Sequence, residues 1–156
     1  MDISLPAESP AASDAAAASG PQPLWNPRAA TWWGLLLSPA FSAYIHMRNW
    51  QALGQEDKAG EARTWFYMFM IYLVVSCFLA GASEILGHDL TPPSSAALGM
   101  LAAWHIFCGR GQERYIAALT GGAYSRRPWT RTVFSALGIF TAIVLFNAAL
   151  IVFITP

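Results

Sequence analysis

Charge is the scarcest ingredient of this sequence. Only 12% of its 156 residues are Asp, Glu, Lys or Arg, about half of what soluble domains carry. The formal net charge is zero, so no overall basic field favours a nucleic acid as partner. The few charges lie in short clusters separated by long uncharged stretches. A soluble fold needs a polar surface, and the sequence therefore predicts a membrane protein with the lipid bilayer as its surroundings.

Cysteines and catalytic groupings are scarce too. Cys77 and Cys108 lie within or at the end of apolar runs, without a CxxC partner or a His at ligand spacing. This favours free thiols over a disulfide or a metal site. The isolated Gly109-Arg110-Gly111 lacks the strand and the Lys-Ser/Thr of a phosphate loop. No nucleophile has a base at useful spacing. We therefore expect no cofactor and no metal, and favour a non-enzymatic role over an enzyme.

The N-terminal segment differs from the rest in composition. Residues 1–24 are rich in Ala, Ser and Pro, with three acids and no Lys or Arg. They lack the basic start and apolar centre of a secretory signal, and the arginines of a transit peptide. Such a segment cannot bury enough apolar surface to become ordered. We predict a disordered tail over 1–24 and one helical membrane domain over 25–156.

Uncharged runs predict an all-α membrane bundle with four transmembrane helices. The clearest run has 24 residues without a charge, while the third has only 17 and is at the short end for a span. The predicted spans are 29–47, 65–83, 92–108 and 132–155.

The first run contains a proline that allows two interpretations. Asn26 can cap a helix whose first position is Pro27. Pro39 then follows Ser38 in the middle of the run. It can kink a spanning helix, or the chain can form a re-entrant hairpin bent at Ser38–Pro39. The sequence favours the span, which places the N-terminus outside.

A basic loop sets the predicted orientation. Gly109–Arg131 has five arginines against one acid, Glu113, and short basic loops between spans stay in the cytosol. With loops 48–64 and 109–131 inside, eight of the nine Lys and Arg residues are cytoplasmic and Arg28 is the exception. We predict the bacterial inner membrane as the location. The same arginines either only set the topology or also contact anionic lipid headgroups; these candidates are Arg110, Arg114, Arg126, Arg127 and Arg131.

Four polar residues are candidates for intramembrane roles. His46 and His105 lie near the inner ends of the first and third runs. They could bind a metal or relay protons, although local hydrogen bonding is favoured. Asn147, within the last run, is favoured as a hydrogen-bonding link between helices, and Glu84, at the end of the second, can reach the outer headgroups.

Two segments carry a resemblance. NPRAATWWGLLLSPAFSAYIHMRNWQALGQEDKAGEA and the later GQERYIAALTGGAYSRRPW resemble a group of small bacterial multi-pass inner-membrane proteins. The resemblance implies a membrane location but no activity. In size and topology the chain is also similar to immunity proteins that guard the inner membrane against secreted toxins. The matching positions are Asn26, Pro27, Pro39, Phe41, Asn49, Trp50, Leu53, Gly54, Gln112, Tyr115, Tyr124 and Trp129.

Two functions remain compatible with the sequence. Small residues at four-residue spacing, such as Gly138 and Ala142, let helices approach closely. This favours a non-enzymatic, accessory or immunity-type protein whose partner is another membrane protein or a second copy. The alternative is a small transporter or channel protomer working as an oligomer, in which Pro39 and the two histidines would serve the pathway.

Overall fold

Helices make up nearly all of the structure, a computed structural model that describes residues 22–154. Within this part of the chain there is no strand, only an isolated β-bridge between Leu24 and Arg126. The predicted all-α class is confirmed, whereas most of the predicted disordered tail, residues 1–21, lies outside the described residues. The elements are α1 (Pro27–Leu36), α2 (Pro39–Ala52), α3 (Glu56–Leu86), α4 (Ser94–Trp104), a π-turn (His105–Gly109), α5 (Arg110–Thr120) and α6 (Thr130–Ile154).

The first apolar run forms two helices. Ser38 is extended and its side chain caps α2, whose first position is Pro39. A proline there lacks the N–H that a continuous helix needs and clashes with the preceding turn. α2 runs back along α1, so that Asn49 bonds the backbone of Trp25. The favoured prediction of a single proline-kinked span over 29–47 is therefore wrong. The chain forms the helical hairpin bent at Ser38–Pro39 instead.

The two arms of this hairpin are in very close contact. A Cβ atom on Gly34 would lie 2.6 Å from the Cβ of Ser42, which is closer than real side chains approach. Ala30 on α1 and Ala43 on α2 are completely buried. Small side chains on both arms therefore permit the close packing of α1 on α2.

Two helices, α3 and residues Thr130–Phe153 of α6, are long and apolar enough to cross a membrane. α3 starts well before the predicted run, because Glu56 and Asp57 stabilise its first turn. It ends at Gly87, whose φ of 66° is the left-handed conformation of a helix C-terminus. α6 contains the run predicted over 132–155, except residue 155, which lies outside the described part.

The third apolar run has different bounds from those predicted. Thr91 bonds Asp89 through its hydroxyl and backbone N–H, and these bonds lower the pKa of the Asp89 carboxyl. α4 begins at Ser94. The helix does not stop at Cys108 but continues through the π-turn into α5, which ends at Gly121 with φ of 58°.

One end of the molecule gathers the basic residues, and we call it the basic end. It contains the start of α1, the end of α2, the starts of α3 and α6, and α5 with the loop after it. Leu24 N–H donates to the Ser125 carbonyl at 3.0 Å, and Arg127 N–H donates to the Leu24 carbonyl at 2.9 Å. The rings of Trp50 and Tyr115 lie 5.2 Å apart. All nine Lys and Arg residues belong to the segments that meet here.

Candidate functional site

The described part of the molecule has four buried polar side chains, and they lie in the helices that meet near the basic end. Ser42, His46, Asn49 and Gln112 are each at most 1% exposed. Burying a polar group costs free energy unless it finds a hydrogen-bond partner. We call the set of His46, Asn49, Gln112 and the backbone they bond the polar junction.

Two side-chain amides hold the polar junction together. Asn49 accepts from Trp25 N–H at 3.0 Å and donates through Nδ2 to the Trp25 carbonyl at 2.8 Å. The same Nδ2 lies 3.2 Å from Gln112 Oε1. Gln112 Nε2 donates to the His46 carbonyl at 2.8 Å. These bonds link the start of α1, the end of α2 and the start of α5 at a single point.

The chain just before α1 is fixed to the basic loop as well. Asn26 caps α1, accepting from Arg28 N–H at 3.0 Å. Trp25 Nε1 donates to the Pro128 carbonyl at 3.3 Å, and the Arg127 guanidinium lies 4.4 Å from the centre of the Trp25 ring. A cation over an indole face is attracted by the negative face of the ring.

The two histidines have different partners. His46 Nε2 lies 3.3 Å from the Pro27 carbonyl. A carbonyl only accepts, so Nε2 carries the proton and Nδ1 keeps a lone pair. His105 Nδ1 lies 3.3 Å from the Thr31 hydroxyl. Among residues 22–154 no group of three His, Cys, Asp or Glu side chains could hold a metal ion.

A small cavity borders the polar junction. Its volume is about 60 Å³, and His46, Trp104, Glu61 and Cys108 help to line it. His46 Nδ1 and Trp104 Nε1 are buried without a partner in the described structure. The first is an acceptor and the second a donor, so together they offer complementary hydrogen bonds to one small polar molecule.

The other candidate residues lie apart from the polar junction. Arg110, Arg114, Arg126 and Arg131 are exposed at the basic end, while Arg127 is half-buried against Trp25. These five arginines are therefore not gathered in one pocket.

The remaining candidates are further towards the other end. Glu84 is exposed in the last turn of α3, and Pro39 opens α2 at the tip of the hairpin. Asn147 Nδ2 donates to the Cys77 carbonyl at 3.1 Å, so it links α6 to α3.

Sequence reasoning missed Asn49 and Gln112 as site residues. A search for charged and ionisable side chains within apolar runs does not select uncharged amides in polar loops. The available signal was the resemblance to small bacterial inner-membrane proteins. Asn49 and Gln112 are among the positions that match that group, but no role was assigned to them.

The comparisons with known proteins give no family. No family model matches the chain, and no curated protein or solved structure shows significant similarity to it. The conclusions on function therefore depend on the fold and the geometry of the basic end.

Proposed function

We propose that this chain is an integral membrane protein that acts through helix–helix contacts, with its basic end in the cytosol. Its long helices support the membrane location. None of the most apolar 18-residue window of α6, and 6% of that of α3, is buried inside the protein. A water-soluble fold would cover such helices, whereas a bilayer leaves them in contact with lipid.

In this proposal the hairpin is re-entrant. α1 has 10 residues, or roughly 15 Å, about half of a hydrocarbon core of ~30 Å. The hairpin would enter to mid-depth and return to the same side. Non-helical backbone at that depth is tolerated where protein covers it. Leu37 and Ser38 border cavities lined by α3, α4 and α6, which supports this placement.

The bridge between Leu24 and Arg126 is the observation that carries the topology. It joins the chain before α1 to the basic loop, so both are on one side. The positive-inside rule then places all nine Lys and Arg residues in the cytosol. Three segments then cross the membrane, namely α3, the α4–α5 segment and α6. The N-terminus is inside and the C-terminus is outside. The four-span alternative leaves Arg28 outside and requires the tail to cross.

Cysteine labelling tests this topology. In a variant with Cys77 and Cys108 replaced by Ala, single cysteines at Gln22, His88 and Gly122 are treated with a membrane-impermeant maleimide. We expect His88→Cys to react in intact cells, and Gln22→Cys and Gly122→Cys only after the membrane is permeabilised. Reaction of Gln22→Cys in intact cells would favour four spans. A monomer that is soluble without detergent would overturn the membrane location.

Two observations support a role through contacts with other helices. The amides of Asn49 and Gln112 bond within the protein. The exposed face of α6 carries small residues such as Gly138 and Ala142, which suit close approach of another helix in lipid. The partner is a helix of another membrane protein or of a second copy, as in an accessory or immunity-type protein of the bacterial inner membrane.

Photocrosslinking in native membranes tests this role. A photoreactive amino acid at Thr141, on the exposed side of α6, should give a discrete protein adduct. The same probe at His88, in the loop after α3, is the control. Only lipid adducts at Thr141, together with a monomer after gentle solubilisation, would contradict the proposal.

A transporter or channel protomer is the second candidate, and the hairpin favours it. Short helices that enter a membrane and return are used to line permeation pathways. If this function is correct, replacing His46, His105 and Asn147 should alter flux in liposomes. Unchanged flux in all three variants would eliminate this candidate.

A further inference from the structure

A long apolar slot lies between α3 and α6, with α2 as its floor. It has a volume of about 480 Å³, and most of its surface is aromatic or aliphatic. We call it the lateral slot. Its walls include Phe41, Tyr44, Phe66, Met70, Ile139 and Ile143.

The lateral slot has one open and one closed end along α6. At the basic end it begins beside Arg131, and its last lining residue is Ile143. The twelve helical steps from Arg131 to Ile143 correspond to roughly 18 Å, slightly more than one leaflet of ~15 Å. Just beyond, Asn147 bonds the Cys77 carbonyl and brings α6 against α3. The slot thus extends from headgroup level to about the bilayer midplane.

The charge at the open end is unpaired. Arg131 is exposed and makes no hydrogen bond or ion pair with any residue of the described chain. It is the one arginine among the five headgroup candidates that lines the slot. The hydroxyl residues Thr132 and Ser135 lie next to it in the slot wall. A cation with hydroxyls at one end and an apolar channel beyond complement an amphiphile with an anionic head.

We propose that the lateral slot binds an anionic phospholipid, with one acyl chain between α3 and α6 and its phosphate at Arg131. This inference rests on the membrane location proposed above. The charge at the headgroup end of the slot argues for a lipid rather than an apolar protein helix as the occupant, because Arg131 lines the slot and attracts an anionic headgroup.

Native mass spectrometry of the detergent-purified full chain tests the proposal. Phosphatidylglycerol and phosphatidylcholine with the same acyl chains are added in equal amounts. We expect preferential retention of phosphatidylglycerol. The variant Arg131→Gln should lower that retention about fivefold, since one base near an anionic headgroup contributes this much to lipid affinity. The matched control, Arg126→Gln, removes another exposed arginine that lies outside the slot and should leave retention unchanged.

A second pair of variants tests the acyl-chain part. Ser135→Trp places a ring in the slot, while Thr141→Trp adds the same ring on the opposite side of α6. Both residues are exposed, so neither change disturbs the interior. We expect Ser135→Trp alone to reduce binding of both lipids.

Several results would overturn the lipid site. These are equal retention of the two lipids, an equal effect of Arg131→Gln and Arg126→Gln, or an equal effect of the two tryptophans. A dimer crosslinked through cysteines at Ser135 would show a second copy in the slot instead. A chain that inserts into bilayers yet fails these tests loses only the lipid site. A chain that never inserts loses the proposed function as well.

Discussion

The basic end and the far half of the molecule are stabilised in different ways. At the basic end, amide hydrogen bonds and aromatic rings hold several segments together, and the buried side chains include Trp104, Ile116 and Gln112. In the far half, α6 buries none of its most apolar window. There, Asn147 of α6 donates a hydrogen bond to the Cys77 carbonyl of α3.

This difference indicates which half of the protein needs a well-packed interior of its own. Lipid gives no hydrophobic force between helices, because acyl chains are as apolar as leucine. The far half therefore needs little packing to be stable in a bilayer. The basic end includes chain segments outside regular helices, and their backbone groups need partners from the protein.

The substitution with the largest expected effect tests whether the polar junction holds the segments of the basic end together. Asn49→Leu leaves the Trp25 N–H, the Trp25 carbonyl and Gln112 Oε1 without this partner. We expect the free energy of unfolding to fall by about 3 kcal/mol, because buried unpaired groups cost ~1–3 kcal/mol each. Titration with denaturing detergent in mixed micelles measures it.

Gln51→Leu is the control for this substitution. Gln51 is half-buried on the same helix, and within residues 22–154 its side chain bonds only Arg48, so we expect a change within ~0.5 kcal/mol. Equal losses in the two variants would show that the polar junction is not the support of the basic end.

A second substitution tests the hairpin. Gly34→Ala places a Cβ 2.6 Å from the Cβ of Ser42, so α1 and α2 must separate. We expect a loss of about 1–3 kcal/mol in the same titration, as for overpacked cores. Gly60→Ala is the control, since no atom lies within 4 Å of its added Cβ. That change should be neutral or stabilising, by up to ~1 kcal/mol. If Gly34→Ala were equally harmless, the hairpin would not be closely packed.

A third substitution tests the attachment of the basic loop. Arg127→Gln removes the cation over the Trp25 ring. We expect a loss of about 0.5–1 kcal/mol, and a red shift of tryptophan fluorescence as the ring becomes more exposed. Arg126→Gln should change neither quantity, because that side chain has no partner among the described residues. Identical results for the two variants would show that the basic loop is attached only through the backbone bridge between Leu24 and Arg126.

The smallest effect is expected in the far half. Asn147→Leu removes one interhelical hydrogen bond, which in membranes contributes about 0.6 kcal/mol on average. Unfolding in detergent should detect this loss, while Thr141→Leu on the exposed side of α6 should give none. A loss as large as that of Asn49→Leu would contradict the difference between the two ends.

Elements defined by local composition could be predicted from the sequence. α3 and α6 follow from long uncharged runs, and the end of α5 follows from the pair Gly121–Gly122. The break at Ser38–Pro39 could not be decided in this way. A serine cap followed by proline fits both a kinked span and a hairpin. The bonds between Asn49 and Trp25 distinguish the hairpin from the kinked span. These two residues are distant in sequence.

The candidate site was predictable to a smaller extent. His46 and His105 were selected because ionisable groups are rare in apolar runs. Their bonds to the Pro27 carbonyl and the Thr31 hydroxyl depend on how α1 packs, which the sequence does not reveal. Arg131 could not be separated from the other arginines either, because the lateral slot forms only when α3 and α6 diverge around α2.

The π-turn at His105–Gly109 lets this chain change its length at one place. In a regular helix, each residue added or removed rotates everything after it by about 100°. A π-turn holds one residue more than the α-helical turn that it replaces. Deleting one residue between Trp104 and Arg110 would therefore restore α-helical winding and keep Gln112 and Ile116 buried, whereas adding one would rotate them outwards. Natural relatives of this protein should have the present spacing between Trp104 and Gln112 or one residue less.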